Sequence, residues 1–228
     1  MVLFAGLASF AGLPPDVCRS ATVAAFLALP FCLTALGFED YWHPARVGDV
    51  RVGIEDILAS LSSGGFIWAA AARGATGLSL QLETTGVVRR YLGTTLLGAA
   101  VFSACHLSGM LPLPATLVAM VVVSGWLLRR RPELRPLALT GMVSFAVLYV
   151  GVLKFSWVVF PAFATDWNWA GLCGVTMGGV PVEEILWAAG YGGVWSLMMG
   201  YAFQARVEPQ VAPAAVPAGI QADRLSVG

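Results

Sequence analysis

The stretch PVEEILWAAGYGGVWSLMMGYAF, residues 181–203, decides the fold that this sequence predicts. After its two glutamates it is apolar over a length that can cross a bilayer as a helix, for which about 20 residues suffice. The whole chain of 228 residues is 58% hydrophobic and only 11% charged, with a mean hydropathy of +0.78. Soluble domains carry about 25% charged residues. We therefore expect an integral membrane protein.

Five further apolar segments precede this stretch and predict six spanning helices in all. The predicted spans are residues 17–38, 54–72, 91–111, 113–128, 137–160 and 181–203. Residues 1–12 are also apolar and form a short seventh span or a half-inserted segment; without a basic region they do not predict a cleaved signal peptide. Residues 205–228, rich in Pro and Ala, predict a disordered tail. The expected fold is an all-α polytopic bundle of six or seven spans.

The basic residues predict the orientation of these spans. Ten arginines fall on one side of the membrane and only Arg46 and Arg51 on the other. Because cytoplasmic loops carry the excess of basic residues, the arginine-rich side and the C-terminal tail are expected in the cytoplasm, at a bacterial cell membrane. The net charge of zero does not reveal this uneven distribution of arginines between the two sides. It gives no reason to expect a nucleic-acid partner.

Ionisable residues gather on the other, non-cytoplasmic side. Eight carboxylates lie there: Glu39, Asp40, Asp49, Glu55, Asp56, Asp166, Glu183 and Glu184. His106 and Lys154 lie in the same halves of their spans. Ionisable groups at membrane depth are costly and usually functional, which predicts a site here. The simpler alternatives are an ion pair of Lys154 with one of the late glutamates, and His106 as a polar residue between helices.

The opening stretch has an earlier copy, GIEDILASLSSGGFIW, residues 53–68. The matching pairs, 128 positions apart, are Glu55-Asp56 with Glu183-Glu184 and Gly64-Gly65 with Gly192-Gly193. This combination indicates a duplication, with residues 1–112 as the first repeat, 113–204 as the second and 205–228 as the tail. The copies lie four helices apart, on the second and sixth spans, so both acidic pairs face the same side and two tandem parallel repeats are expected. The glycine pairs predict close helix contacts.

Each acidic pair lies at a predicted helix start. Adjacent helical residues are about 100° apart and cannot face the same way. A helix N-terminus favours negative charge, so one acid per helix could be a cap; two acids in both copies favour function. A carboxyl group in an apolar cavity has its pKa raised by desolvation and can act as a general acid.

Aromatic residues accompany both copies. The preceding loops, EDYWHPARVGD and ATDWNWAGLCG, have residues that commonly anchor at membrane interfaces; alternatively, some of them line a cavity with the acids. Trp187 and Trp195 follow the second pair on its own helix. Aromatic faces stabilise cations and an apolar cavity excludes water. This setting suits carbocation chemistry on a lipophilic substrate.

The segment PVEEILW, residues 181–187, resembles the P-x-E-E-x-x-F signature of the lycopene cyclase domain family, and Trp42 to Pro44 resemble its W-x-P loop. The resemblance implies an isomerase-type, redox-neutral ring closure of a linear isoprenoid, without a metal or nucleotide cofactor. Its partners would be the carotenoid or other isoprenoid substrate, membrane lipids, and a second copy or other carotenoid-pathway enzymes. Glu183 or Glu184 would protonate the substrate.

The resemblance also implies that Glu55 or Asp56 would remove the proton, and that Trp42, Pro44 and Trp187 lie at the substrate. With Trp195, His106 and Lys154, which are added for their positions in the spans, these are the expected substrate-binding residues. The first copy has Gly53 in place of the proline and Ala59 in place of the aromatic residue. These departures leave open a diverged terpenoid cyclase that acts on another lipophilic isoprenoid.

Two different classes of protein compete with a cyclase. An intramembrane protease with paired glutamates would use an F-x-x-x-H motif, which Phe102 to His106 match, but the usual Arg after the glutamates is missing. A transporter or pigment-binding subunit would use the acids for proton or ligand coupling. Transporters more often have inverted repeats, which disfavours that alternative.

Overall fold

The computed structural model describes residues 12–38, 41, 42, 44, 46–48, 50–75, 78, 79, 84–169 and 172–207. The predicted N-terminal segment, apart from Gly12, lies outside the described residues. So do the predicted tail from residue 208 onward and the acids Glu39, Asp40 and Asp49.

The described residues form a mostly helical protein. The six α-helices among them are α1 (Pro15–Ala28), α2 (Ile54–Gly74), α3 (Thr84–Leu107), α4 (Pro112–Arg130), α5 (Arg135–Val159) and α6 (Val182–Ala202). A 3-10 helix, Leu29–Gly37, continues α1, and two shorter ones, Pro132–Leu134 and Pro161–Asp166, flank α5. Each of the six predicted apolar segments is therefore helical.

Three helical segments of the described chain are long and apolar enough to cross a membrane. They are Pro15–Gly37, Pro112–Arg130 and Pro132–Val159. Helices α2, α3 and α6 are also long, with 21, 24 and 21 residues, but they carry more glycine, serine, tyrosine and charge. For α6 the packing explains this composition, because residues 191–200 are all buried. Their side chains contact neighbouring helices and not lipid, so small and polar residues are tolerated there.

Helix α6 lies at the centre of the bundle, in contact with α2, α3, α4 and α5. Its closest approach is to α5, where a Cβ on Gly192 would lie 2.4 Å from the carbonyl oxygen of Gly141. In α2, a Cβ on Gly64 would lie 2.4 Å from the Cβ of Ala28 in α1. The predicted role of glycine in close helix contact is confirmed for Gly64 and Gly192.

Four two-residue strands depart from the all-α prediction. Strand β1 (Leu78–Ser79) pairs with β4 (Arg206–Val207), and β2 (Thr176–Met177) pairs with β3 (Val180–Pro181), both antiparallel. The β2–β3 turn has Gly178 and Gly179 at φ +61° and +82°, the left-handed conformations that tight hairpins require of glycine. This hairpin leads directly into α6 and so fixes the position of Glu183 and Glu184 in the first turn of that helix.

Candidate functional site

Two aromatic loops meet above the N-terminal ends of α2 and α6. Trp42, before α2, forms an antiparallel bridge with Trp167, before α6. The backbone N–H of Asn168 also donates to the carbonyl of Tyr41 at 3.0 Å. The loops that precede the two acidic motifs thus pair with each other and cover one end of the bundle.

Glu184 lies beneath these loops and is only 3% exposed. The indole N–H of Trp167 donates to its Oε1 at 2.8 Å, and the hydroxyl of Tyr41 donates to the same oxygen. The hydroxyl of Tyr149, from α5, donates to Oε2. The indole N–H can only donate, whereas each tyrosine hydroxyl can donate or accept, so this network accommodates Glu184 in the ionised and in the protonated form. Burial, reinforced by the carboxylate of Glu184, raises the pKa of the Tyr41 phenol well above its usual range.

A cavity of about 560 Å³ extends from Glu184 into the bundle. Ligand pockets usually measure about 300–1,000 Å³. One face of α6 lines it, through Glu184, Trp187, Tyr191, Trp195 and Met198. At 1.5 Å per residue the first and last of these are about 21 Å apart along the helix. The cavity is therefore elongated, with the acid near one end.

Aromatic rings form much of the cavity wall. Trp187 stacks on Tyr191 with centroids 5.4 Å apart, and Tyr149 lies 5.4 Å from Trp187. Farther along, Phe31 meets Trp195 edge-on at 5.5 Å. Ring faces stabilise a cation, so this wall can stabilise positive charge on a bound apolar molecule.

The cavity opens between the 3-10 helix Leu29–Gly37 and α3. Leu33, which lines the cavity, is 58% exposed, and none of the residues of this 3-10 helix is buried. Ala99 of α3 is likewise both cavity-lining and exposed. Most side chains around the opening are apolar, as suits an entrance from lipid, and the exposed Thr34 is a polar exception.

The two members of each acidic pair have different environments. Asp56 lines the cavity, pairs with the Arg46 guanidinium at 2.8 Å and accepts the Gly53 N–H at 2.9 Å. Glu55 is exposed and accepts the N–H of Val47 at 3.0 Å.

The second motif repeats this division. Glu183 accepts the N–H of Cys173 at 2.6 Å and does not line the cavity, whereas Glu184 does. In both copies the first acid accepts a loop backbone N–H and only the second lines the cavity, although Asp56 also caps α2 through the Gly53 N–H. The prediction that the members of a pair point in different directions is confirmed.

The predicted substrate-binding residues divide into two groups. Trp42, Trp187 and Trp195 line the cavity, whereas Pro44, His106 and Lys154 do not.

His106 is exposed: it stacks on Phe102 and its Nδ1 lies 3.2 Å from the Met110 carbonyl oxygen. Lys154 donates to the carbonyl of Gly178. The ion pair proposed for Lys154 with Glu183 or Glu184 is wrong, because the described side chains form no such pair.

Sequence reasoning missed Tyr149, Tyr191 and Phe31. For Tyr191 a signal was available, because Glu184, Trp187, Tyr191 and Trp195 recur every three or four residues and share a helix face. Tyr149 has no such signal, since it lies 35 residues before its partner Glu184 on another helix.

Comparison of the chain with protein-family models, with curated proteins and with solved structures finds no match. Within the described residues, no three His, Cys, Asp or Glu side chains are grouped so that they could hold a metal ion. The geometry around Glu184 therefore carries the functional argument.

Proposed function

We propose that this protein is an integral-membrane cyclase that closes a ring on a linear, carotenoid-type isoprenoid by acid-initiated, redox-neutral isomerisation. One observation carries the proposal: the buried carboxyl group of Glu184 lies at one end of an elongated, aromatic cavity that opens through a mostly apolar entrance. A lipophilic chain can enter from the bilayer and present its end to an acid from which bulk water is excluded.

We further propose six spans and two parallel repeats as the architecture. Helices α2 and α6 support a duplication, since both have 21 residues and they begin 128 positions apart. The matching roles of their acids support it as well. The polar composition of α2 and α6 fits spanning helices that are shielded from lipid by their neighbours.

In the proposed reaction, Glu184 in its protonated form gives its proton to the terminal double bond of the isoprenoid. The neighbouring double bond attacks the resulting cation and closes a six-membered ring. Trp187 and Tyr191 stabilise the positive charge. Asp56, which also lines the cavity, then takes a proton from a ring carbon and restores a double bond. The substrate gains one proton and loses one, so the product is an isomer.

Expression in a lycopene-accumulating bacterium tests this function, with the pigments analysed for one or two new rings. We expect ring formation by the wild type and a loss of about 100-fold or more in Glu184→Gln, the usual contribution of a general acid. Glu183→Gln should retain most activity because Glu183 does not line the cavity. Glu133→Gln, on the opposite side of the protein, is the control.

Each alternative has its own outcome in this experiment. Unchanged cyclisation in Glu184→Gln would remove Glu184 from the mechanism. A wild type that forms no ring but co-purifies with unaltered pigment would indicate a pigment-binding protein. A wild type that neither cyclises nor retains the pigment would refute the carotenoid proposal.

A further inference from the structure

The ion pair between Arg46 and Asp56 lies at the cavity, because Asp56 is one of the residues that line it. The Nε–H of Arg46 donates to Oδ2 of Asp56 at 2.8 Å. Only 7% of the Arg46 side chain and 9% of the Asp56 side chain are exposed. Removing one partner of a buried ion pair leaves the other charge uncompensated, so this guanidinium is important for the state of the carboxylate.

Two donors meet at the same oxygen of Asp56. Besides Arg46, the backbone N–H of Gly53 donates to Oδ2, at 2.9 Å. The other oxygen, Oδ1, accepts no hydrogen bond within the described chain, and it is not sealed from the surface as Oε2 of Glu183 is. The carboxylate is therefore held through Oδ2, and Oδ1 is the oxygen that can accept a proton.

We propose that Arg46 is a positioning residue, which holds Asp56 so that Oδ1 takes a proton from one particular carbon and thereby determines where the new double bond forms. This inference rests on the proposed function. After ring closure the positive charge lies on a ring carbon that carries a methyl group. Protons can leave from either neighbouring ring carbon or from that methyl group. In each case the C–H electron pair becomes the double bond and the proton passes to Oδ1, so each choice gives a different isomer.

The position of the base can select among these protons. A misplacement of about 1 Å can change a rate by about 100-fold, and the competing C–H bonds lie on adjacent carbons. The Gly53 N–H holds Oδ2 from the start of α2, on the same helix as Asp56. Arg46 adds a second donor from the preceding loop, together with the compensating charge.

Analysis of the ring isomers made in the lycopene-accumulating bacterium tests the inference. We expect one dominant isomer from the wild type. In Arg46→Gln the share of the other isomers should rise by about tenfold to 100-fold. Arg46→Lys keeps a charge but not the planar guanidinium, so it should give a smaller shift in the same direction. A purely structural role of Arg46 would lower all ring products together and leave their ratio unchanged.

Arg51→Gln is the matched control, because Arg51 lies in the same loop, is exposed, and forms no ion pair within the described residues. It should keep the wild-type ratio. The double variant Arg46→Gln/Asp56→Asn should give the same products as Asp56→Asn alone, since residues that act through one another are not additive.

The outcomes separate this inference from the proposed function. Ring formation with an unchanged isomer ratio in Arg46→Gln would overturn the role of Arg46 and leave the cyclase proposal standing. A mixture of isomers from the wild type would do the same. A wild type that forms no ring would overturn both proposals. If Arg46→Gln does not fold, the isomer ratio of Arg46→Lys decides by the same criterion.

Discussion

At the scale of single residues, Glu184 joins the parts of the site. Its three hydrogen-bond donors are Tyr41 in the loop before α2, Trp167 in the loop before α6, and Tyr149 in α5. A carboxylate held by three donors has a fixed orientation towards the cavity. Tyr41 and Glu184 are 143 positions apart in the chain, so their hydrogen bond joins two distant segments. Removing either partner should therefore loosen the loop that carries Tyr41 and change how the Glu184 carboxyl group is held.

The Tyr41 phenol predicts a pH dependence of stability. Its pKa is raised in the folded protein by burial and by Glu184, whereas in the unfolded chain it is about 10. The unfolded state therefore loses this proton first, and stability falls as the pH rises above about 10. We expect the melting temperature to drop more steeply between about pH 9 and 11 in the wild type than in Tyr41→Phe, measured in detergent.

Parallel pH profiles for the wild type and Tyr41→Phe would contradict this account of the phenol. Other tyrosines titrate in both proteins, so the difference between the two profiles isolates Tyr41.

At the scale of secondary-structure elements, the contact between α5 and α6 determines where the cavity wall lies. Gly192 and Gly141 let the two backbones approach, while Trp187 and Tyr191 on the same helix line the cavity. A change in helix separation would move these rings. Gly192 and Gly141 therefore help to position the cavity wall, although neither glycine lines the cavity.

Gly192→Ala tests this close contact. The new methyl group would lie 2.4 Å from a backbone oxygen, which cannot move independently of its helix. We expect a loss of about 1–3 kcal/mol, typical of overpacking, seen as a lower melting temperature in detergent. Gly93→Ala in α3 is the control, because a Cβ there meets nothing within 4 Å. Equal melting temperatures for the two variants would exclude a close contact at Gly192.

At the scale of the whole molecule, the two ends of the bundle differ in charge. The acids of the two motifs lie at one end, where Arg46 pairs with Asp56, whereas most of the described arginines lie at the other end and two of them hold the end of α6. Arg90 donates to the Ala202 carbonyl at 2.8 Å and Arg131 to the Ala205 carbonyl at 2.7 Å. Cations at a helix C-terminus are favourable. The arginines therefore stabilise the fold in addition to predicting its orientation.

Thiol labelling tests that orientation. Cys173 is exposed, in the loop just before α6, and should react with a membrane-impermeant maleimide added to intact spheroplasts. A cysteine at the other end, introduced as Arg129→Cys in a Cys173→Ser background, should react only after permeabilisation. The reverse pattern would show that the cavity end with Glu184 faces the cytoplasm.

Much of the fold could be predicted from the sequence because its signals are local. Runs of apolar residues predicted the helices, and the spacing of Gly64 and Gly192 predicted helix contacts. The acidic pairs could be found in the same way, since a carboxylate in an apolar run is conspicuous wherever it lies. The pairing of Lys154 was predicted wrongly, because a charge alone does not indicate which acceptor will be nearest.

The sequence by itself determined a helical, membrane-type chain and a motif with two candidate acids, since hydropathy and helical period depend only on neighbours along the chain. Only the tertiary structure decided that Glu184 and Asp56 face the cavity while Glu183 and Glu55 hold loops. It alone brought Tyr41, Tyr149 and Trp167 to one carboxylate. The physical reason is that burial and hydrogen bonding depend on which segments pack against each other. The glycine contacts determine how closely the helices approach.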